Sequence, residues 1–229
     1  MLKYKLEHFF SLQEKHNIEL VKCQLETEGL NEREALENGW LLSADKWYQC
    51  RSVRIVLRKF NVQPTYFNVQ FTKERASYII DIYNKYVEYK GFRSIDSDVY
   101  YEDERTEYLI LKDEGHPVAF TKFQHYTGLD SSKTEGLESQ LNAWNFHKPK
   151  LALGKKMIAH EAQYAITLGL DHLYIGEGCE LGSMYKADLP GFEWWTGSEW
   201  SNDKETYKNL CIRESNIRTI YELADIFNA

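Results

Sequence analysis

The chain has 229 residues, 43% hydrophobic and 28% charged, enough for one large α/β domain or two small ones with an ample core. A formal charge of −7 excludes a protein that coats nucleic acid through a generally basic surface, while leaving room for a local basic groove. No run approaches the ~20 apolar residues of a membrane span, and Met1 to His8 lacks the apolar stretch of a signal peptide, so a cytoplasmic protein is expected.

Residues 10–30 are polar, with weak helical periodicity. Asn31 to Trp40 reads as a capped helix stopped at Gly39, and Trp47 to Phe60 as a strand rich in Val, Ile and Tyr, with Arg51, Arg54 and Arg58 interspersed. Phe71 to Gly91 has the 3.6-residue spacing of an amphipathic helix: Ala76, Ile79, Ile80, Tyr83, Tyr86 and Val87 share a face, and Gly91 ends it. Tyr108–Leu111, Pro117–Phe123 and Leu137–Phe146 read as three successive strands, the first two joined by a hairpin turn at Asp113-Glu114-Gly115-His116. Gly154 to Leu168 is the central helix, Gly169 its stop and His172 to Ile175 the next strand; Thr206 to Phe227 is mostly helical. Cys23, Cys50, Cys179 and Cys211 lie far apart with no Cys-x-x-Cys pair, so free thiols are expected and no metal site.

Leu137 to Trp200 carries the strongest functional signal. A strand that ends in a small-residue loop and continues into a helix at Gly154 aims backbone N–H groups and the positive end of the helix dipole at an approaching anion. That order is similar to the donor half of a GNAT-type acyltransferase. Phe146-His147-Lys148-Pro149, Leu151-Ala152-Leu153-Gly154, Leu168-Gly169-Leu170-Asp171-His172-Leu173-Tyr174-Ile175-Gly176 and Met184-Tyr185-Lys186 then follow one another in the order of the C-terminal domain of arginyl-tRNA–protein transferases, which the chain resembles. Upstream, Glu37 to Trp40, Trp47 to Ile55 and Ile82 to Tyr86 extend the resemblance over most of residues 35–200. The family's N-terminal cysteine cluster is reduced here to Cys50, so no cluster cofactor is expected. The segment before Tyr185-Lys186 is shorter and more acidic than the family's, which leaves the transferred amino acid and its acceptor open.

The resemblance implies an α/β fold: a GNAT-like mixed sheet flanked by helices in residues 100–229, with an N-terminal α/β region, residues 1–99, packed on it. It also implies aminoacyl transfer from a charged tRNA to an amine of a protein, peptide or small molecule. Lys148, Lys150, Lys155 and Lys156 surround the Gly154 turn. Four lysines at a helix start oppose the dipole's preference for acids, which favours an anionic ligand such as the terminal phosphates of a charged tRNA. Coenzyme A is the alternative donor, although of its usual motif only Gly154, and loosely Ala152, is present. Glu177 and Glu180 follow the strand ending at Gly176, where either can hold or deprotonate the acceptor amine. Tyr185 can protonate the leaving ribose oxygen and Lys186 can contact phosphate.

Asn145, beside Trp144, stands where relatives expose backbone N–H groups to an oxyanion. Trp194 and Trp195, with Trp144, can line a substrate pocket or simply close a core. His147 and His160 take no role, since His160-Glu161 lacks the second His of a zinc helix. Cys179 between acids has its thiolate disfavoured, which argues for direct transfer. A non-catalytic binding protein on the same scaffold is the remaining reading.

Overall fold

A computed structural model of the chain describes residues 4–13, 16–25, 31–43, 46–49, 51–65, 67–91, 102–127, 133–146, 152–179 and 181–215. The fold is mixed α/β. Its larger sheet has eight strands in the order β12-β11-β5-β10-β9-β8-β7-β6. These are β5 (Ser52–Val56), β6 (Asn68–Thr72), β7 (Thr106–Asp113), β8 (His116–Thr127), β9 (Thr134–Trp144), β10 (His172–Glu177), β11 (Phe192–Trp195) and β12 (Trp200–Ser201). A four-stranded sheet, β1-β2-β4-β3, is built from β1 (Tyr4–Gln13), β2 (His16–Leu25), β3 (Leu41–Ser43) and β4 (Lys46–Gln49). The helices are α1 (Glu32–Glu37), α2 (Ser77–Lys90), α3 (Leu153–Thr167) and α4 (Lys204–Glu214). No helix among the described residues is long and apolar enough to cross a membrane.

The strand periodicity of two explains why β7 is an unbroken apolar run. Tyr108 and Ile110 point to one face, where Ile79, Tyr83 and Val87 of α2 pack with Phe120 and Ala143. Leu109 and Leu111 point to the other, against Leu153, Met157, Ile158 and Ala162 of α3, with Phe123, Leu137, Leu173 and Ile175. A central strand covered on both faces has no exposed side for polar residues, and each fully buried Leu, Ile or Phe contributes roughly 2 kcal/mol. A third cluster joins Ala35, Leu36, Trp40, Leu41, Leu42 and Trp47 of the N-terminal region to Tyr126 and Tyr174 on the large sheet. That sheet takes β5 and β6 from before residue 99, and β5 lies inside it between β10 and β11, so a division at 99 runs through one sheet.

Several expectations are corrected. The segment read as weakly helical pairs as a long antiparallel hairpin, Tyr4 opposite Leu25 through Gln13 opposite His16; a ladder over that length outweighs a weak periodic signal. Trp47 to Phe60 is not one strand. It breaks before Arg51, whose φ is 34°, so that β4 and β5 enter different sheets, and a 3-10 turn follows at Leu57–Lys59. The helix ending at Gly91 starts at Ser77 rather than Phe71, which belongs to β6. The hairpin turn is as expected, with Glu114 at φ 49° and Gly115 at φ 82°. Helix α4 is capped by the Asp203 carboxylate, which accepts from the Glu205 and Thr206 amides; the expected helix beyond residue 215 and the residue Cys50 lie outside the described residues.

Candidate functional site

Among the described strands β9 and β10 form the one parallel pair, and α3 is the crossover between them. They are in register only at Tyr174 and Glu138. Past that point Gly176 takes φ 72°, the pairing of β10 with β5 slips between Tyr174 and Glu177, and β9 continues to Trp144 paired with β8 but no longer with β10. The parallel strands therefore part at the end where α3 begins. Lys186, buried on a 3-10 helix spanning Leu181–Asp188, donates from Nζ to the carbonyls of Ile175 and Glu177, each at 2.6 Å, on either side of Gly176. Its charge acts on Glu138 of β9 and on Glu161 of α3, which puts the ammonium where the strands separate.

Two buried carboxyls stand on opposite faces of this opening. Glu138 accepts the Tyr126 hydroxyl. Burial pushes its pKa up to about 8, with Glu177 adding and the Tyr126 hydrogen bond, Lys186 and Lys122 opposing. Glu161 is 0% exposed, and burial pushes it up to about 7 against the hydrogen-bonding side chains of Thr121, Ser139 and Asn142 and the Lys186 charge. Its Oε1 lies 2.5 Å from the Thr121 hydroxyl, while Oε2 has no hydrogen-bond partner. Asn142 in turn donates to the Ser139 hydroxyl at 2.9 Å. Tyr185, 45% exposed, has its pKa pushed up to about 12, mainly by burial of the hydroxyl and further by the Glu161 charge.

The helix start has Ala152 as its cap at φ 48°. The amides of Lys155 and Lys156 bond Ala152 O, and those of Leu153 and Gly154 precede any partner within the helix. The Trp144 ring lies on this turn: a Cβ on Gly154 would stand 3.2 Å from it. The ring also meets Tyr86, with ring centroids 4.6 Å apart, and has the Lys90 ammonium 5.9 Å over it, so Trp144 pins the ends of β9, α2 and α3 together.

The expected site residues divide accordingly. Glu177, Tyr185 and Lys186 come together at the opening, and Trp144, Ala152, Gly154, Lys155 and Lys156 stand at the helix start beyond the end of β9. Lys186 is a correction: its ammonium is spent on two strand carbonyls, so it is not a surface group awaiting phosphate. Asn145 is a second, because its amide donates to Val118 O at 2.8 Å and is not presented to an oxyanion. Trp194 and Trp195 are a third. They lie buried on β11, with β5 between it and β10; Trp194 donates to Asp203 O at 3.0 Å, and Trp195 packs on Trp200 and Gly39. Of the lysines, Lys155 is exposed and Lys156 lies 4.9 Å over the Phe67 ring. His147, Lys148, Lys150 and Glu180 lie outside the described residues.

Glu161, Glu138, Thr121 and Lys122 were missed by motif reasoning. Glu161 did have a signal, a charge inside an apolar stripe, for Met157, Glu161 and Ala165 recur at helical spacing on one face. A separate shallow cavity of ≈ 140 Å³, lined by Arg33, Glu37, Glu135, Asp171 and His172 among others, opens at the other ends of β9 and β10. Among the described residues no three His, Cys, Asp or Glu side chains are grouped to hold a metal ion. The chain matches no protein-family model and no curated protein.

Proposed function

We propose that this chain transfers an aminoacyl group from a charged tRNA to an amine, forming an amide in the opening between β9 and β10. The observation that carries the reading is the one parallel pair among the described strands: two strands that touch at one register position, part at Gly176, and are linked by a helix whose first turn faces the end of the first strand. We read β7, β8, β9, α3 and β10 as the GNAT-like unit the sequence resembles. In such an arrangement the donor's phosphates meet the amides of Leu153 and Gly154, with Lys155 and Lys156 beside them, and its acyl end enters between the strands. Lys186 is not a phosphate ligand in this arrangement: its ammonium holds the β10 carbonyls of Ile175 and Glu177 on either side of Gly176. The donor amino acid and the acceptor are set by pocket chemistry outside these contacts.

The deciding experiment supplies tRNA charged with a labelled amino-acid mixture, or labelled acetyl-coenzyme A, to the protein with a cell extract and simple primary amines. Label in a ribonuclease-resistant, hydroxylamine-stable product from the tRNA arm is the expected result. Label from the coenzyme A arm alone changes the donor but keeps acyl transfer, and label from neither arm overturns the function.

A further inference from the structure

We infer that Glu161 is the group that receives the acceptor's ammonium and removes its proton, a role that rests on the acyl-transfer reading above. The buried face of α3 places the carboxylate behind the β9/β10 opening with one oxygen held and the other unpartnered. Oε1 meets the Thr121 hydroxyl, and Oε2, fully buried, meets nothing at hydrogen-bond geometry. An unpartnered buried carboxylate oxygen costs stability and is what a cationic guest would relieve. Tyr185 is half-exposed and near enough for the Glu161 charge to act on it, so the carboxylate lies one side chain from solvent.

The surrounding hydrogen bonds suit a group that changes protonation state. The Thr121 hydroxyl lies within bonding distance of both Glu161 Oε1 and Asn142 Oδ1, yet it has one proton to give. When Glu161 is ionised, Thr121 donates to it. When Glu161 carries a proton, the carboxyl donates to Thr121, which donates on to Asn142, which donates to Ser139. Both states are satisfied on the Oε1 side without moving the backbone. Burial sets the affinity for that proton near neutrality, where a general base works best. The charge acting on Glu161 from its surroundings is Lys186; Glu138 and Tyr126 face the α1 side of the sheet with their own hydrogen bond, and Glu177 of β10 acts on Glu138.

The step balances simply. The ammonium R–NH3⁺ gives a proton to Glu161, and the neutral amine attacks the ester carbonyl carbon. As the C–N bond forms and the C–O bond to ribose breaks, the second amine proton passes to the ribose oxygen. The products are the amide, the free 3′-terminal hydroxyl and the proton on Glu161, which returns to solvent.

Glu161→Gln keeps the shape and removes the base. At pH 7 it is expected to lower kcat at least ~100-fold with the donor KM unchanged, and to abolish the acidic limb of kcat/KM that the wild type shows near neutrality; Glu161→Asp restores part of both. Transfer within threefold of wild type, with the limb intact, overturns the inference. Thr121→Val is the second variant, for the case in which Glu161→Gln does not fold. Because the Thr121 hydroxyl favours the ionised form, its loss is expected to move the limb to higher pH at an unchanged plateau; an unmoved limb overturns the role. If the wild type transfers from neither donor, the reading it rests on has failed and calorimetric titration with methylammonium at pH 8 judges Glu161 alone. Binding by the wild type and not by Glu161→Gln upholds an amine site, and equal or absent binding overturns it.

Discussion

Gly191 shows how a single missing Cβ holds two strands together. Its φ is 78°, and a Cβ built there would stand 2.5 Å from the carbonyl oxygen of Val56, while Gly191 O accepts from the Val56 amide at 2.8 Å. The neighbour is backbone of the central strand β5, so it cannot step aside as a flexible side chain would. Gly191→Ala therefore combines an unfavourable left-handed conformation with a backbone clash, and is expected to cost about 3 kcal/mol, read as a lower urea midpoint at unchanged slope. Gly154 is the contrasting case: its nearest obstacle is the Trp144 ring at 3.2 Å, a side chain that can give by a few tenths of an ångström. Gly154→Ala should cost only about 1 kcal/mol, and its larger effect should fall on donor binding at the turn that Trp144 covers. A donor KM that stays at the wild-type value in this variant would count against the helix start as the phosphate site.

At the scale of elements, what was legible in the sequence was what local physics decides. The run Tyr108-Leu109-Ile110-Leu111 reads as a strand, though not as one buried on both faces, and α3 is read from its order after the Gly154 turn and from Gly169, which takes φ 73° just beyond its end. The strand-turn-helix order at Gly154 was legible for the same reason. The break between β4 and β5 was not, because Arg51 adopts φ 34° in a setting made by residues far away. Its guanidinium pairs with Glu214 of α4, donates to Gly178 O at 3.2 Å and lies 5.9 Å from the Trp194 ring. The chemistry at Glu161 was half legible: a carboxylate in an apolar stripe is visible, but whether it is ion-paired, hydrogen-bonded or left open depends on β8, β9 and the 3-10 helix. Arg51 and Glu214 also yield a prediction for the element they tie down. Arg51→Met leaves a buried carboxylate without its cation and should cost about 3 kcal/mol at pH 7.5. Burial already raises the Glu214 pKa against the Arg51 charge, and removing the arginine raises it further, so the penalty should shrink as the pH falls and Glu214 takes up a proton. Arg51→Met combined with Glu214→Leu should recover most of the loss; a double variant as unstable as the single one would show that the pair is not what fastens α4 to the end of β10.

Over the whole molecule, the large sheet carries ionisable groups through its middle that ordinary cores exclude: Lys122 and Glu138 on adjoining strands, Lys186 across the opening and Glu161 behind it. Their cost should be visible as a pH dependence of global stability, and Glu138 is the residue that isolates it, because it bonds Tyr126 on the α1 side of the sheet, the face opposite Glu161. In the unfolded chain its carboxyl titrates near the ordinary 4.5, whereas in the folded protein burial raises it to about 8. Between those values the native state holds a proton that the unfolded state has released. Its contribution is thus fully present below pH 4.5 and declines as the pH rises to about 8. Glu161 and Glu214 slope the same way, since burial raises them too. His160 and His172 slope the other way, since burial lowers both and disfavours their charged forms as the pH falls below 6.5. Comparing wild type with Glu138→Gln cancels these shared terms. Gln accepts the Tyr126 hydroxyl as the carboxyl does but does not titrate, so its stability relative to wild type should rise by about 4 kcal/mol between pH 5 and pH 8.5 in chemical denaturation. Parallel curves over that range would mean that Glu138 ionises in the folded protein as it does in water, and the charges inside the sheet would then have to be balanced by Lys186 and Lys122 as full ion pairs rather than by a retained proton.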